Sequence, residues 1–422
     1  MRIIKQKKIK YSEVGVIVLL TYSFFIGLIT RYLTAGLQIA ILLLGLVTFS
    51  ARNKIKLRKQ LMTLVISIAC IFIILLNRNA RFSSGFYRLD VCIVIGIIVY
   101  CLACNMNKWH KCYYKYLVLM GVFYGVTTIF LFLFPQIYFR YVAPLFSTSD
   151  VMYEYVQKGY VVGFSSHFST TTIYLSIAAS AAIIPFLRKE TFENSTKKML
   201  ILLFAIVYAS ILLTGKRAHS IFVIIAGVVV YWFMNKDKKL GRFFYLISGL
   251  SFFALVFFIA AQFFPPLYNV INRFESKINN ENLLSGREVM IYECVNMFRT
   301  NPMFGTGWGS FTYYTDSDVL DAHNVYIQLL AENGILLSIP FFCFFFVNYI
   351  YIVKSVMRMG SLGLLKNNWE TVMVGSSLFL QTFFLLYCLT GNPIYDVQFF
   401  LPYIFSCAIG EYYYRSFVLL TS

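Results

Sequence analysis

Apolar runs of about 17 to 22 residues recur along the chain, separated by short segments that carry the charged residues, Gly, Pro and Asn. A helix of about 20 apolar residues spans the hydrocarbon core of a bilayer, so each run predicts a membrane-spanning helix. The pattern predicts about twelve spans, at 14–30, 33–50, 60–76, 89–104, 116–134, 167–187, 199–214, 218–234, 243–264, 334–353, 370–389 and 397–414. The expected fold class is an all-α integral membrane protein, with residues 1–422 forming a single polytopic domain.

The distribution of positive residues predicts the orientation, because Lys and Arg in short loops stay on the cytoplasmic side. With both termini inside, the cytoplasmic segments carry 25 of the 37 Lys and Arg residues and six of the 18 Asp and Glu residues. The net charge of +19 therefore lies on the inner side and reflects topology rather than a nucleic-acid partner. Charged residues make up 13% of the chain, against about 25% in soluble globular proteins, which excludes that class.

The external cations differ in type from the internal ones, because nine of the twelve are arginines. The guanidinium fork binds carboxylate or phosphate with two parallel hydrogen bonds. We therefore expect an anion site on the external face. For any single arginine the alternative is snorkelling or pairing with an acid.

Two predicted external segments are longer than turns, at 135–166 and at 265–333. The first is rich in Tyr and Phe, which favours the membrane interface or stacking against a sugar ring, and Tyr160 is one candidate for stacking. The second contains the largest polar stretch of the chain.

Within that second segment, SGREVMIYECVNMFRTNP places Met290, Cys294 and Met297 at helical spacing. The spacing predicts an amphipathic helix that lies on the membrane or on the helix bundle. Ser285 and Glu288 are placed as a capping box, with Arg287 in the first turn. The GTGWG sequence that follows has no strand–helix context for a dinucleotide, so it predicts a tight turn that brings backbone close to another element.

The sequence DAHNVYIQLLAENGIL predicts a further helix, capped by Asp321 and ending near Gly334, with His323 and Asn324 in its first turn. The positive end of the helix dipole favours a neutral imidazole at His323. A neutral histidine can act as a general base, and the alternative is a structural histidine near a helix start.

The short connection LLTGKRAHSI places Lys216, Arg217 and His219 within four residues at a predicted membrane boundary. Charges there are costly unless they snorkel, pair or serve a function, so we expect a functional role. His167 in GFSSHFS lies at the head of the sixth predicted span, where a functional histidine and a satisfied interfacial histidine are equal alternatives.

No metal site is expected. Cys101 and Cys104 form a CxxC inside a predicted span, where small buried cysteines are common, and Asp316 and Asp318 lie in a polar stretch typical of solvated acids.

Arg287 in SGRE, then NPMFGTGWGSF, then DAHNVYIQLLAENGIL resemble the region shared by the O-antigen polymerase and O-antigen ligase superfamily. The family pattern reads roughly Arg, NP-x-x-G-x-G, and HN followed by E-x-G. The resemblance covers residues 285–337 closely. TGKR at 214–217 is similar to the family's earlier boundary motif, which is usually Ser-Arg.

The resemblance implies a GT-C-like, metal-independent glycosyltransferase whose donor is an undecaprenyl-diphosphate-linked glycan. It implies that Arg217 and Arg287 bind the donor diphosphate and that His323 activates the acceptor hydroxyl. Further substrate-binding candidates lie in or near the same motifs: Lys216, His219, Asn324, His167, Arg299 and Tyr160. The implied partners are the lipid-linked donor and acceptor, the bilayer, a flippase and a chain-length regulator, without a cofactor or nucleic acid. GFSSHFS lacks the Pro-Asn of the family's corresponding segment.

Three functions stay open. The leading hypothesis is a polymerase of lipid-linked repeat units in the bacterial cytoplasmic membrane, active on the external face and making a surface polysaccharide. A ligase would share the donor motifs but transfer finished glycan to another acceptor. A lipid-glycan flippase or transporter is less favoured, because few ionisable residues lie centrally in the predicted spans.

Overall fold

The computed structural model describes residues 11–51, 61–77, 86–146, 160–183, 193–235, 259, 262, 287–314, 322–365 and 369–419. Within these ranges the chain forms thirteen α-helices of seven or more residues and no β-strand. The helices are α1 Tyr11–Phe24, α2 Ile26–Tyr32, α3 Ala35–Ser50, α4 Leu61–Leu76, α5 Phe86–Ala103, α6 His110–Leu133, α7 Phe168–Ala182, α8 Asn194–Leu213, α9 Arg217–Met234, α10 Arg287–Thr300, α11 Val325–Ser361, α12 Trp369–Tyr387 and α13 Val397–Tyr414.

Helices lie at eleven of the twelve predicted spans, and the ninth, 243–264, lies outside the described residues apart from Ile259 and Gln262. Five described helices are long and apolar enough to cross a membrane: α6, α8, α9, α11 and α12. A sixth is obtained when α1 and α2, bent by 79° at Phe25, are counted as one broken span. The length and composition of these helices are those of a multi-pass membrane protein.

The bend between α1 and α2 has no sequence signal, because neither Pro nor Gly stands at the break. Phe25 instead packs against Phe123, with ring centroids 5.8 Å apart, and against Tyr124 at 6.3 Å. Tertiary packing against α6 accompanies the break, so the predicted straight first span is replaced by two shorter helices.

Helices α12 and α13 form the centre of the bundle. Almost every residue of both helices is buried, as expected for helices that are apolar on all sides. They pack on each other through Phe384 and Tyr403, whose rings stack with centroids 3.6 Å apart. By contrast, α3 and α4 expose apolar side chains such as Val47 and Leu75, which suits helices that face lipid.

The predicted amphipathic helix is confirmed as α10. Its Cys294 and Met297 are buried in a cluster with Phe311, Ala322 and Ala331, so this face packs on the bundle. The opposite face exposes Val289 and Tyr292, and Ser285, expected to cap the helix, lies outside the described residues.

As predicted, a helix ends near Gly334 and a separate span follows it. The label α11 covers both helices, Val325–Ser361, which are joined at a kink where Gly334 has non-helical geometry (φ 62°, ψ −173°). A kink of this kind leaves amides and carbonyls without their helical partners.

Residues 301–311, called here the clasp loop, supply those partners. The amides of Ile335 and Leu336 donate to the carbonyls of Pro302 (2.9 Å) and Met303 (3.1 Å). In the other direction, the amide of Gly307 donates to the carbonyl of Glu332 at 2.8 Å. The loop therefore replaces part of the helical ladder, and this exchange holds the kink and the clasp loop together.

We predict that Gly334→Ala destabilises the protein by about 2 kcal/mol or more, because an alanine at positive φ is strained and its Cβ would also meet backbone. A Cβ at Gly334 would lie 2.4 Å from the carbonyl carbon of Met303. Thermal unfolding of the purified protein in detergent measures the effect.

Two glycines provide controls. Gly363 shares the positive φ (67°), but a Cβ there would have nothing within 4 Å. Gly363→Ala therefore tests the backbone strain alone and should lower the free energy of unfolding less. Gly36 in α3 also has nothing within 4 Å of a Cβ and should tolerate Ala. Equal melting temperatures for Gly334→Ala and Gly36→Ala would contradict the account of the clasp.

Candidate active site

The clasp loop adopts the tight turn with close backbone approach that GTGWG predicts. Gly305, Gly307 and Gly309 have φ values of 73°, 105° and 74°, a region that favours glycine. A Cβ at Gly305 would lie 2.3 Å from the carbonyl of Glu332, so the loop and helix α11 meet backbone to backbone.

A buried carboxylate, Glu332, organises this contact. Its oxygens accept hydrogen bonds from the amides of Gly309 (3.0 Å) and Phe311 (3.3 Å). They also accept from Gln328 Nε2 at 3.1 Å and from Tyr395 Oη at 2.8 Å. A fully buried carboxylate is tolerated only with such partners. No role was predicted for Glu332, although an acid in the apolar run LLAENG is a signal of this kind.

Gln328 extends the network to the start of α11. Its Oε1 accepts from the amide of Ala322 at 3.0 Å and from Asn392 Nδ2 at 3.1 Å. Ala322 directly precedes His323, so the Glu332 network holds the backbone next to the predicted base.

The start of α11 corrects the predicted capping. Asn324 is the N-cap, and its side chain accepts from the amide of Ile327 at 3.2 Å, so the helix begins at Val325. His323 precedes the cap in a left-handed conformation (φ 54°) instead of lying in the first turn. Asn caps helices as well as Asp does, which explains the shift. Asp321 lies outside the described residues.

His323 is half-buried beside positive charges. Burial first, then the charges of Arg287 and Lys216, lower the pKa of His323 to about 4. The imidazole is therefore neutral at pH 7, as expected, but the causes are burial and neighbouring cations rather than the helix dipole alone.

Three cations lie within electrostatic reach of one another, and two of them, Arg287 and Lys216, act on His323. Arg217 and Arg287 are the first residues of α9 and α10, and Lys216 is the N-cap of α9. Burial lowers the pKa of Arg287, and Tyr387 raises it while Arg217 lowers it further. The pKa of Lys216 falls to about 8 through burial and the charge of Arg287, against the charge of Asp396, which raises it. These mutual effects place the cations within electrostatic reach of one another.

Their placement is unfavourable for the protein alone. The N-terminus of a helix carries partial positive charge, and like charges in a partly buried site repel. A bound anion would offset both penalties, so this arrangement has the chemistry to hold an anion beside a neutral histidine.

Two further histidines lie next to Lys216, each with a partner of its own. His219 is buried, its Nδ1 lies 3.0 Å from Ser176 Oγ, and its ring packs on Tyr387 at 4.6 Å. His167 is the N-cap of α7, where its Nδ1 accepts from the amide of Ser169 at 3.0 Å. Burial and the charge of Lys216 lower the pKa of His167 to about 4.

Of the two remaining candidates, Tyr160 lies beside the cations and Arg299 does not. Tyr160 stacks on Phe168 at 4.6 Å, and the Lys216 ammonium lies 4.9 Å from the same Phe168 ring, so Tyr160 borders the cations. Arg299 is exposed in the last turn of α10. At about 1.5 Å per residue it lies roughly 18 Å along the helix from Arg287, so the structure does not bring Arg299 to the cluster.

Asp396 and Tyr387 are site neighbours that were not predicted. Asp396 raises the pKa of Lys216, and Tyr387 raises the pKa of Arg287. Both residues come from the segment around the end of α12. An acid after NPIY on the predicted external side was the available signal. Among the described residues, no three His, Cys, Asp or Glu side chains form a metal-binding group.

The part of the chain that carries these residues is similar to a known protein family. Residues 200–342 match the family model described as O-antigen ligase. The matched region includes the three cations, His323 and Glu332, and it ends before Tyr387 and Asp396. No curated protein shows significant similarity to the chain.

We predict that Lys216→Met raises the pKa of His323 by roughly one unit, because loss of a neighbouring cation stabilises the imidazolium. Exchange of the imidazole C2 hydrogen, followed by mass spectrometry across pH, measures this pKa without any substrate. Lys354→Met, at the opposite end of α11, is the matched control and should leave the value unchanged. An unshifted His323 titration in Lys216→Met would contradict the described proximity.

Proposed function

We propose that the chain is a polysaccharide polymerase of the O-antigen ligase and polymerase superfamily. The match of residues 200–342 to the family model supports this, because members of that family are membrane glycosyltransferase-like enzymes. The proposed donor is an undecaprenyl-diphosphate-linked glycan, and the acceptor is the non-reducing end of another lipid-linked repeat unit. The proposed location is the bacterial cytoplasmic membrane, with both termini inside and the segment 265–333 contributing the catalytic loop on the external face.

The observation that supports the proposal is the cluster of Lys216, Arg217 and Arg287, of which Lys216 and Arg287 act on His323 and Arg217 acts on Arg287. A diphosphate carries several negative charges on oxygens that match guanidinium forks. The N-terminus of α9 adds partial positive charge beside Lys216 and Arg217. The cluster has the chemistry of a diphosphate site with a proton acceptor at its edge.

In the proposed reaction, the acceptor hydroxyl attacks the anomeric carbon of the donor sugar, and the bond from that carbon to the diphosphate oxygen breaks. The hydroxyl proton passes to the neutral imidazole of His323. The electron pair of the broken bond stays on the diphosphate, whose added negative charge the cations stabilise.

Donor binding also tunes the base. The charges of Arg287 and Lys216 contribute to the low pKa of His323. A bound diphosphate offsets those charges and so raises that pKa toward neutral pH, where a general base is most effective. The histidine then becomes a better proton acceptor only when the donor is in place.

A ligase is the second candidate, because the matched family model is described as O-antigen ligase. Both activities use the same donor chemistry and differ in the acceptor. Purified protein supplied with lipid-linked repeats alone distinguishes them, since polymer forms only if the repeat is itself an acceptor.

We predict that Arg287→Ala and His323→Ala each lower the transfer rate by at least about 100-fold, because each removes a group that acts on developing charge or on the proton. The measurement is polymer formed from lipid-linked repeats by purified protein, with single-repeat lipid accumulating in cells.

Arg140→Ala is the matched control, because Arg140 is an exposed arginine that lies over the Tyr141 ring, 5.3 Å from its centroid, and not in the cluster. It should polymerise at the wild-type rate. Polymer of normal amount and length from both cluster variants would refute the assigned roles.

A further inference from the structure

Asp396 occupies a helix-capping position without capping the helix. It is the N-cap residue of α13, yet its side chain makes no capping hydrogen bond there. Its Oδ2 instead accepts from Tyr387 Oη at 3.2 Å, and its Oδ1 accepts from Gln398 Nε2 at 3.4 Å. The carboxylate therefore bonds to Tyr387 at the end of α12 and to the Gln398 side chain of its own helix, and it caps no amide of α13.

Tyr387 connects this carboxylate to the start of α9. Its ring packs against His219 with centroids 4.6 Å apart, and His219 lies one helical turn after Lys216. The link thus runs from Asp396 through Tyr387 to the turn of α9 that carries Lys216 and Arg217.

The segment before Asp396 also holds the start of α11. The carbonyl of Cys388 accepts from the amide of Val325 at 2.9 Å, and the carbonyl of Leu389 accepts from Asn324 Nδ2 at 3.3 Å. Residues 387–396 therefore contact both the helix after His323 and the helix after Lys216.

The Asp396 carboxylate acts electrostatically on the Lys216 ammonium. Burial and Arg287 lower the pKa of Lys216 while Asp396 raises it, leaving a value of about 8. The titratable and charged groups around Lys216 come from six elements: Arg217 and His219 of α9, Arg287 of α10, His167 before α7, His323 before α11, Tyr387 of α12 and Asp396 before α13.

We propose that Asp396, held by Tyr387, is a positioning residue of the donor site: its carboxylate is the counter-charge that keeps the Lys216 ammonium available for the donor diphosphate. This inference rests on the proposed function. It extends the proposed site to Asp396, the N-cap residue of α13. This residue lies outside the matched family region.

The sign of the effect follows from the charges. Removing the carboxylate leaves Lys216 with burial and Arg287 as opposing influences, so its pKa falls below about 8. Lys216 then loses its proton at a lower pH, and diphosphate binding weakens on the alkaline side. At acidic pH Lys216 stays protonated in both the wild type and the variant, so the difference in diphosphate binding between them shrinks.

The first test needs no substrate. Competitive acetylation of Lys216, quantified by mass spectrometry across pH, reports its titration in Asp396→Asn, Asp396→Glu and wild type. We expect the midpoint to fall by about one unit in Asp396→Asn and to fall less in Asp396→Glu, which keeps the charge. Glu293→Gln, a carboxylate-to-amide change on α10, is the matched control. An unchanged midpoint in Asp396→Asn would overturn the proposal.

The second test uses a lipid-linked repeat unit as donor. The ratio of variant to wild-type donor KM for Asp396→Asn should rise about five- to tenfold between pH 6.5 and pH 8.5, as a one-unit shift requires. In a Lys216→Met background the same change should give a flat ratio, because the affected amine is gone. A flat ratio with Lys216 present, or a rising ratio without it, would show that Asp396 is merely structural.

The two tests separate the inference from the function on which it rests. If the acetylation midpoint shifts but the wild-type protein transfers no glycan, the proposed function fails while the link between Asp396 and Lys216 stands. If the wild type transfers glycan and the midpoint stays unchanged, the proposed function stands and the role of Asp396 is lost.

Discussion

The position of the candidate base depends on one buried carboxylate. Glu332 has no exposed surface, and removing a carboxylate from water is tolerated only when hydrogen bonds replace its hydration. Its partners come from the clasp loop, from α11 and from the segment before α13. Because these elements meet at one group, the clasp loop stays against the kink at Gly334, and Gln328 carries the constraint to the backbone before His323.

Unlike Glu332, which its neighbours stabilise, the three cations lie close to other positive charges. Lys216, Arg217 and Arg287 sit at helix starts, in partly buried surroundings, where the protein alone derives little benefit from them. Sites that bind charged substrates commonly keep such locally unfavourable groups because ligand binding compensates them. Asp396 offsets part of the repulsion without neutralising the site, which leaves room for an anionic ligand.

Much of this architecture could be predicted from the sequence, because it follows from local patterns. Run length and hydrophobicity placed helices at eleven described positions, and the period of Met290, Cys294 and Met297 predicted α10 and its buried face. The GTGWG glycines predicted a close backbone approach, because few other residues allow it.

The rest depends on contacts between distant segments. At the Gly334 kink of α11 the clasp loop replaces helical hydrogen bonds, and no local pattern reports which segment supplies those partners. Asp396 and Tyr387 reach cations that lie far away in the sequence through packing of the central helices. Arg299 looked similar to Arg287 as an external arginine, and helix geometry separates them.

The most direct test of the central claim is a cryo-EM structure of the full chain in lipid nanodiscs with undecaprenyl diphosphate. The account predicts diphosphate density within hydrogen-bonding distance of the Arg217 and Arg287 guanidinium groups, on the side that faces His323. Diphosphate bound elsewhere on the protein, with both guanidinium groups paired to protein carboxylates, would contradict it.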